Sequence, residues 1–259
     1  MLPSILISTF DNYAAAWKPL GASLERYWPE ALGNLYVITN YLEAPMGKTI
    51  KVGADKGWAS NLATALKQIP SEEVLYLQED YWLTRRVDSE LIERYASYIQ
   101  EGRADYIRLF PAPKPDGPSA LDSKLGVLAD DADFRTSLMA AIWKKSVLQG
   151  LIHTEESPWD FERRSERSKV FGNRFLSVGK HDDGIEYVYT AILTGAWSKD
   201  ARRWAKKERI SVKWYDLPGY TRRWRVKRFV WEMLGGGRGE GGNRETVFIR
   251  LLRTMLVRN

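Results

Sequence analysis

The sequence predicts an α/β protein: a mixed, mostly parallel sheet flanked by helices, followed by a basic C-terminal helical extension. Three observations carry the fold class. Strand, helix and strand patterns follow one another within the first 39 residues. The strand candidates are continuous runs of branched and aromatic residues, the pattern of strands covered on both faces rather than one. One of these, Glu73-Val-Leu-Tyr-Leu-Gln-Glu-Asp-Tyr-Trp-Leu83, runs straight into two adjacent acids. The end of such a strand is where open α/β sheets bind ligands.

Taken in order, Ile5-Leu-Ile-Ser-Thr-Phe10 is the first strand. Ala14 to Tyr27 has helical spacing, with Pro19 at a start or a kink because proline cannot donate a backbone hydrogen bond. Leu35-Tyr-Val-Ile-Thr39 is the second strand, so the chain opens as nucleotide-binding sheets do. A third unit begins at Ile50-Lys-Val-Gly53. Leu62 to Ile69 then makes an amphipathic helix stopped by Pro70, with Ser60 or Asn61 as its N-cap. Free N–H groups at such a helix start suit diphosphate oxygens, and Lys56 adds charge there. After the acidic strand, Val87 to Gln100 is a helix and Tyr106-Ile-Arg-Leu-Phe110 a strand. Pro111-Ala-Pro-Lys-Pro-Asp-Gly-Pro118 can only be a loop, one that borders a cleft. Phe134 to Trp143 is strand-like and leads into a helix over Lys145 to Ile152, and Phe175-Leu-Ser-Val178 is a last strand.

At 259 residues the chain accommodates one substantial domain plus appendages, and 44% hydrophobic with 28% charged residues is ordinary for a globular protein. The absence of cysteine excludes disulfides, thiolate metal sites and cysteine nucleophiles. Met1-Leu-Pro-Ser-Ile-Leu has no basic n-region, and no apolar run approaches the ~20 residues that span a bilayer. A cytoplasmic protein, peripheral on the inner face of the cytoplasmic membrane, is the expectation. No hydrolase elbow, dinucleotide fingerprint or Walker loop is present.

Charge divides the chain near residue 198. Residues 199–259 hold 17 Lys and Arg against 6 Asp and Glu, leaving 22 against 27 before them. The tail interleaves cations with Trp224, Phe229, Val230 and Trp231, and a second amphipathic piece, Thr246 to Val257, follows the glycine-rich linker Gly235 to Gly242. Anionic headgroups attract such segments by about 1 kcal/mol per basic residue. Two domains are thus expected, 1–198 and 199–259, the second meeting an anionic membrane surface. Packing of these helices on the protein's own sheet is the competing reading. No nucleic-acid module accompanies the basic residues, so nucleic acid is not expected as a partner.

Two constellations carry chemistry. Glu79 and Asp80 need a cation, a basic partner or solvent, because unpaired buried charge is expensive. A divalent ion that also binds a nucleotide diphosphate would satisfy them, and solvated acids at a strand end are the plainer alternative. The second is Ser157-Pro-Trp-Asp-Phe-Glu162, in which Ser157 is a natural N-cap and Pro158 suits the first helical position. Asp160 and Glu162 diverge by about 200° on a helix, so only one can serve as a general base. Arg163 and Arg164 are possible partners for Glu162, which slightly favours Asp160 as the base. Both acids also complement the helix dipole without any catalytic role.

The acidic strand, Gly57-Trp-Ala-Ser-Asn61 with the helix that follows it, and Ser157 to Glu162 together resemble bacterial glycosyltransferases of the GT-A fold, a Rossmann-like class acting in cell-surface polysaccharide (O-antigen or capsule) biosynthesis. The resemblance covers roughly residues 4–200. It implies a nucleotide-sugar donor, a UDP-sugar, and Mg²⁺ or Mn²⁺ held by a short acidic motif. The usual Asp-X-Asp is Gln78-Glu79-Asp80 here, so Asp80 takes the last place and Glu79 stands in for the missing first acid. By the same resemblance Thr9 and Asp11 contact base and ribose, Trp58, Ser60 and Gln78 lie at the donor site, His181 completes the metal shell, and Asp160 or Glu162 activates a glycan acceptor, lipid-linked, with inversion. Asp11 as a helix cap and His181 in a plain Asp-Gly turn are the structural alternatives. A sugar nucleotidyltransferase and a non-catalytic membrane-surface adaptor are the other functional readings.

Overall fold

The computed structural model describes residues 1–193 and 195–214. Nine strands form the main sheet: β1 (Ser4–Ser8), β2 (Leu35–Thr39), β3 (Lys48–Lys51), β4 (Glu73–Gln78), β5 (Tyr106–Arg108), β6 (Gly117–Pro118), β7 (Leu125–Val127), β8 (Ala141–Lys144) and β9 (Phe175–Val178). Their order is β3-β2-β1-β4-β8-β5-β9-β7-β6, with a separate hairpin of β10 (Ile192–Leu193) and β11 (Ala196–Trp197). The half that begins the chain, β3-β2-β1-β4, is wholly parallel. Beyond it β8 is inserted antiparallel between β4 and β5.

Alternation along the buried strands sends side chains to two helical layers. Ile5, Ile7, Leu75 and Leu77 face α1 (Trp17–Tyr27), α3 (Ser89–Gln100) and α6 (Lys199–Glu208). Leu6, Val74, Tyr76 and Trp143 face α2 (Trp58–Leu66), α4 (Lys145–Leu151) and α5 (Pro158–Arg163). Burial on both sides is why these strands read as unbroken apolar runs. Pro19 is the third residue of α1, where its missing N–H breaks no intrahelical bond.

Four sequence expectations change. The helix expected from Leu62 begins a turn earlier, at Trp58, with Gly57 as its N-cap at φ 88° and no side-chain cap. Ser60 instead donates to the Thr154 carbonyl at 2.7 Å, and the Asn61 amide donates to Asp55 at 2.8 Å. Of the strand expected over 134–143 only Ala141 onward is extended. The preceding residues turn around the buried Arg135, which donates to the carbonyls of Leu128, Ser168 and Gly172 and pairs with Asp130. A buried guanidinium has five donors to satisfy, and a straight strand could not bring these acceptors to it.

The remaining change concerns the boundary at 198. Helix α6, assigned by charge to a separate extension, buries Ala201, Trp204 and Ala205 in the main core. The Trp204 indole lies 5.0 Å from that of Trp82 and donates to the Leu83 carbonyl at 2.9 Å, while Tyr27 donates to Glu208 at 2.8 Å. The domain therefore includes α6, and only its outward face carries the exposed Arg202, Arg203, Lys206 and Lys207. The linker and the two amphipathic tail segments lie outside the described residues. Among the described residues, no helix is long and apolar enough to cross a membrane.

Candidate active site

Strands β1 and β4 are parallel neighbours, with Ser8 level with Gln78. The chain proceeds from β1 outward to β2 and β3 on one side and returns to β4 on the other. This is the point where strand order reverses, and the crevice beyond it is the expected ligand site of an open α/β sheet. Thr9 follows β1 there, and Glu79 and Asp80 follow β4.

The acidic pair is held deep in the protein, at 8% and 6% exposure, and neither carboxylate forms an ion pair with a basic side chain among the described residues. The Thr9 hydroxyl, which accepts the Trp17 indole N–H at 3.0 Å, works against the rise in proton affinity of the Glu79 carboxyl. Asp80 accepts from the Thr190 hydroxyl at 3.1 Å and from the Ile192 N–H at 3.2 Å, both through Oδ2. Burial pushes the proton affinity of both carboxyls up, and the charge of Asp80 adds to the effect on Glu79. Burial first, then the charges of Glu79 and Asp80, raise the pKa of the Tyr13 phenol.

Two oxygen-donor carboxylates suit a hard divalent ion. Among the described residues no group of three or more His, Asp or Glu is placed to hold one. Glu79 and Asp80 thus fit Mg²⁺ or Mn²⁺ only as part of a shell that phosphate oxygens and water complete. The structure does not bring His181 into such a group. Its ring packs edge-on against Phe110 at 4.7 Å, and its carbonyl is gripped by Arg85, which also pairs with Asp182 in the same turn.

Of the other donor-site expectations, Trp58 and Gln78 do meet. Both donate to the Tyr76 hydroxyl, at 3.0 and 3.3 Å. Asp11 is otherwise engaged. Its carboxylate accepts the N–H groups of Asn40 and Tyr41 at 2.9 Å and of Leu42 at 3.2 Å, and it clamps the loop after β2. Ser60 is directed to Thr154 and not to the acidic pair.

Helix α5 separates its two acids as the 200° divergence requires. Asp160 completes a capping box with Ser157 and pairs with Arg163 at 2.8 Å, three residues on along the same face. The Ser157 hydroxyl and then Arg163 lower its pKa to about 2. It lines a cleft of about 410 Å³ with His153, Thr154, Glu155, Glu156 and Arg164, to which neither Glu79 nor Asp80 contributes. Glu162 turns inward instead. Its Oε1 accepts from the Leu138 N–H at 2.7 Å and the Ser137 hydroxyl at 3.1 Å. Burial raises its pKa against these hydrogen bonds and the charge of the buried Arg108. The Tyr81 hydroxyl donates to the Leu138 carbonyl at 3.0 Å, and its phenol feels the charges of both Asp80 and Glu162. Glu162, rather than Asp160, is the acid of α5 that turns into the core, and its charge, like that of Asp80, reaches Tyr81. Arg163, a possible partner of Glu162 by sequence, pairs with Asp160 instead, because residues three apart share a helix face and adjacent residues do not.

No protein-family model and no curated protein matches the chain. Solved structures do. Residues 1–349 of TarS from S. aureus superpose with a TM-score of 0.50 at 15% identity, over 80% of this chain and 64% of that one. The same fragment in complex with UDP-GlcNAc gives 0.52 at 15% identity, over 83% and 68%. Full-length TarS gives 0.50 at 14%, over 80% and 39%. The fold is GT-A-like. At these identities the likeness concerns fold alone, and the chain spans somewhat less than two thirds of the first of these structures.

Proposed function

We propose that this protein is a glycosyltransferase that moves a sugar from a nucleotide-sugar donor, a UDP-sugar, to a glycan acceptor with inversion at the anomeric carbon. The supporting observation is the buried acidic pair without a basic partner at the strand-order reversal between β1 and β4. That the matched TarS fragment was solved with UDP-GlcNAc agrees with this choice of donor. In this reading Asp80, with Glu79, holds Mg²⁺ or Mn²⁺ against the diphosphate. The bound ion would offset the charge that develops on the leaving group.

The chain's own residues account for the rest. The Thr190–Ile192 segment holds the Asp80 carboxylate, so little reorganisation of that group is needed when the donor arrives. Glu162 takes the proton of the acceptor hydroxyl as its oxygen bonds to the anomeric carbon and the bond to the diphosphate breaks. Its raised pKa strengthens it as a base, whereas Asp160, held near 2 and salt-bridged, is a poor one. Burial raises the pKa of the Tyr81 and Tyr189 phenols, and the charge of Glu162 adds to both.

The acceptor in this reading is a growing cell-surface glycan (O-antigen or capsule), lipid-linked, which puts the enzyme at the inner face of the cytoplasmic membrane. The net charge of residues 199–259 and the outward basic face of α6 support that placement.

Titration calorimetry with UDP, GDP and CDP, each with and without Mn²⁺, on the intact protein and on Asp80→Ala tests the donor half. Metal-dependent binding of one nucleotide, lost in the variant, is expected. Binding of none would remove the reading and favour a membrane-surface adaptor, and pyrophosphate release from a nucleoside triphosphate would favour a nucleotidyltransferase.

A further inference from the structure

Residues 184–192 run alongside residues 80–84 as a strap over the acidic motif. Ile185 donates to the Leu109 carbonyl at 2.9 Å, Thr84 to Glu186 at 3.1 Å, Val188 to Trp82 at 2.8 Å and Ala191 to the Asp80 carbonyl at 3.4 Å. A bridge joins Leu83 to Tyr187, whose ring stacks on Tyr81 at 4.3 Å. Gly184 is where the strap begins. A Cβ there would lie 2.0 Å from the Leu109 carbonyl oxygen, so only glycine permits the approach. At the far end Ser198 donates to Ala191 at 2.9 Å, and the hairpin behind it sets Trp197 5.4 Å from Trp82. The main chain and these rings hold the strap at several points besides the Thr190 side chain.

That side chain does something else. Its hydroxyl lies 3.1 Å from Asp80 Oδ2 and 2.8 Å from the Ile192 carbonyl, a donor placed against the one motif acid that the strap also contacts through its backbone. Its single proton serves one acceptor at a time, and an ionised Asp80 is the stronger acceptor.

We propose that Thr190 is a positioning residue for Asp80: it fixes the carboxylate in the orientation that binds the cation–diphosphate of the donor. In this assignment Thr190 acts through Asp80 and not on the donor or acceptor directly. The assignment rests on the donor reading above. Partners that orient the ligand carboxylates of a metal typically contribute about 10- to 100-fold in metal affinity, which sets the size of the effect.

The test uses the full chain and three proteins: wild type, Thr190→Val, which keeps the shape and removes the hydroxyl, and Thr190→Ser, which keeps the hydroxyl. Calorimetry would measure UDP affinity with and without Mn²⁺, and thermal unfolding without ligand would report folding. Thr190→Val is expected to lose about 10- to 100-fold in Mn²⁺-dependent UDP affinity. Metal-free UDP affinity and the unfolding temperature should stay close to wild type, and Thr190→Ser should restore the loss. Equal Mn²⁺-dependent affinity in wild type and Thr190→Val overturns this assignment alone. A wild type that binds no UDP, or binds it irrespective of Mn²⁺, overturns the donor reading and this assignment with it.

Discussion

Asp160 and Glu162 stand two residues apart on α5, and their carboxylates meet opposite surroundings: Ser157 and Arg163 for the first, Leu138 and Ser137 for the second. The difference predicts an asymmetry between two neutral, near-isosteric variants. Glu162→Gln should lower kcat by about 10²- to 10⁴-fold, the usual contribution of a general base. Asp160→Asn should leave kcat within a few-fold and lower the unfolding temperature, since it weakens a capping box. Sugar transfer followed by release of the nucleotide diphosphate is the measurement, and the reverse ranking would return the base to Asp160.

The raised pKa of Glu162 also sets a pH dependence of stability. The folded protein holds this proton more tightly than the unfolded chain, whose glutamate titrates near 4.3. Stability from this group is full below the unfolded value and is lost as pH rises through the folded one. Glu162→Gln lacks that loss. Urea unfolding at pH 4 and pH 7 should therefore show the variant gaining on wild type at the higher pH.

Glu79 and Asp80 repel each other in a buried site with no cationic partner among the described residues, and both are shifted upward. Glu79→Gln should raise the unfolding temperature of the ligand-free protein, more at pH 9 than at pH 5, because the penalty grows as the carboxyls ionise. Mn²⁺ with UDP should raise the wild-type unfolding temperature and raise that of the variant less. A variant stabilised by the ligands as much as wild type would show that Glu79 takes no part in binding.

Gly184→Ala is expected to destabilise the protein by about 3 kcal/mol, the upper range of overpacking, because its neighbour is backbone and cannot move aside as a side chain would. Thermal unfolding reads the loss. Weaker Mn²⁺-dependent UDP binding should accompany it if the strap sets Asp80.

A chain ending after Trp214 should keep the fold and lose sedimentation with vesicles of anionic phospholipid. One ending after Ser198 should fail to fold, since removing Trp204 from against Trp82 costs about 3–5 kcal/mol before the rest of α6 is counted. Equal vesicle binding with and without residues 215–259 would remove the tail from the membrane contact.

The sequence by itself determined the strands Leu35–Thr39 and Phe175–Val178, the acidic end of β4 and the Ser157 cap. Each is written in a continuous stretch: a doubly covered strand must be apolar throughout, and a capping side chain acts on a backbone group three residues away. Charge in the same sequence pointed the wrong way at α6, whose basic residues cover one face and whose Ala201, Trp204 and Ala205 fill the core from the other. Only the tertiary structure decided which acid of α5 turns into the core, that Asp11 clamps the loop after β2, and that Thr190 reaches Asp80. Thr190 and Asp80 are 110 residues apart, and Glu162 and Leu138 are 24 apart. No local pattern encodes such pairs, because they arise from the order in which strands are laid into the sheet and from the side on which each connection returns.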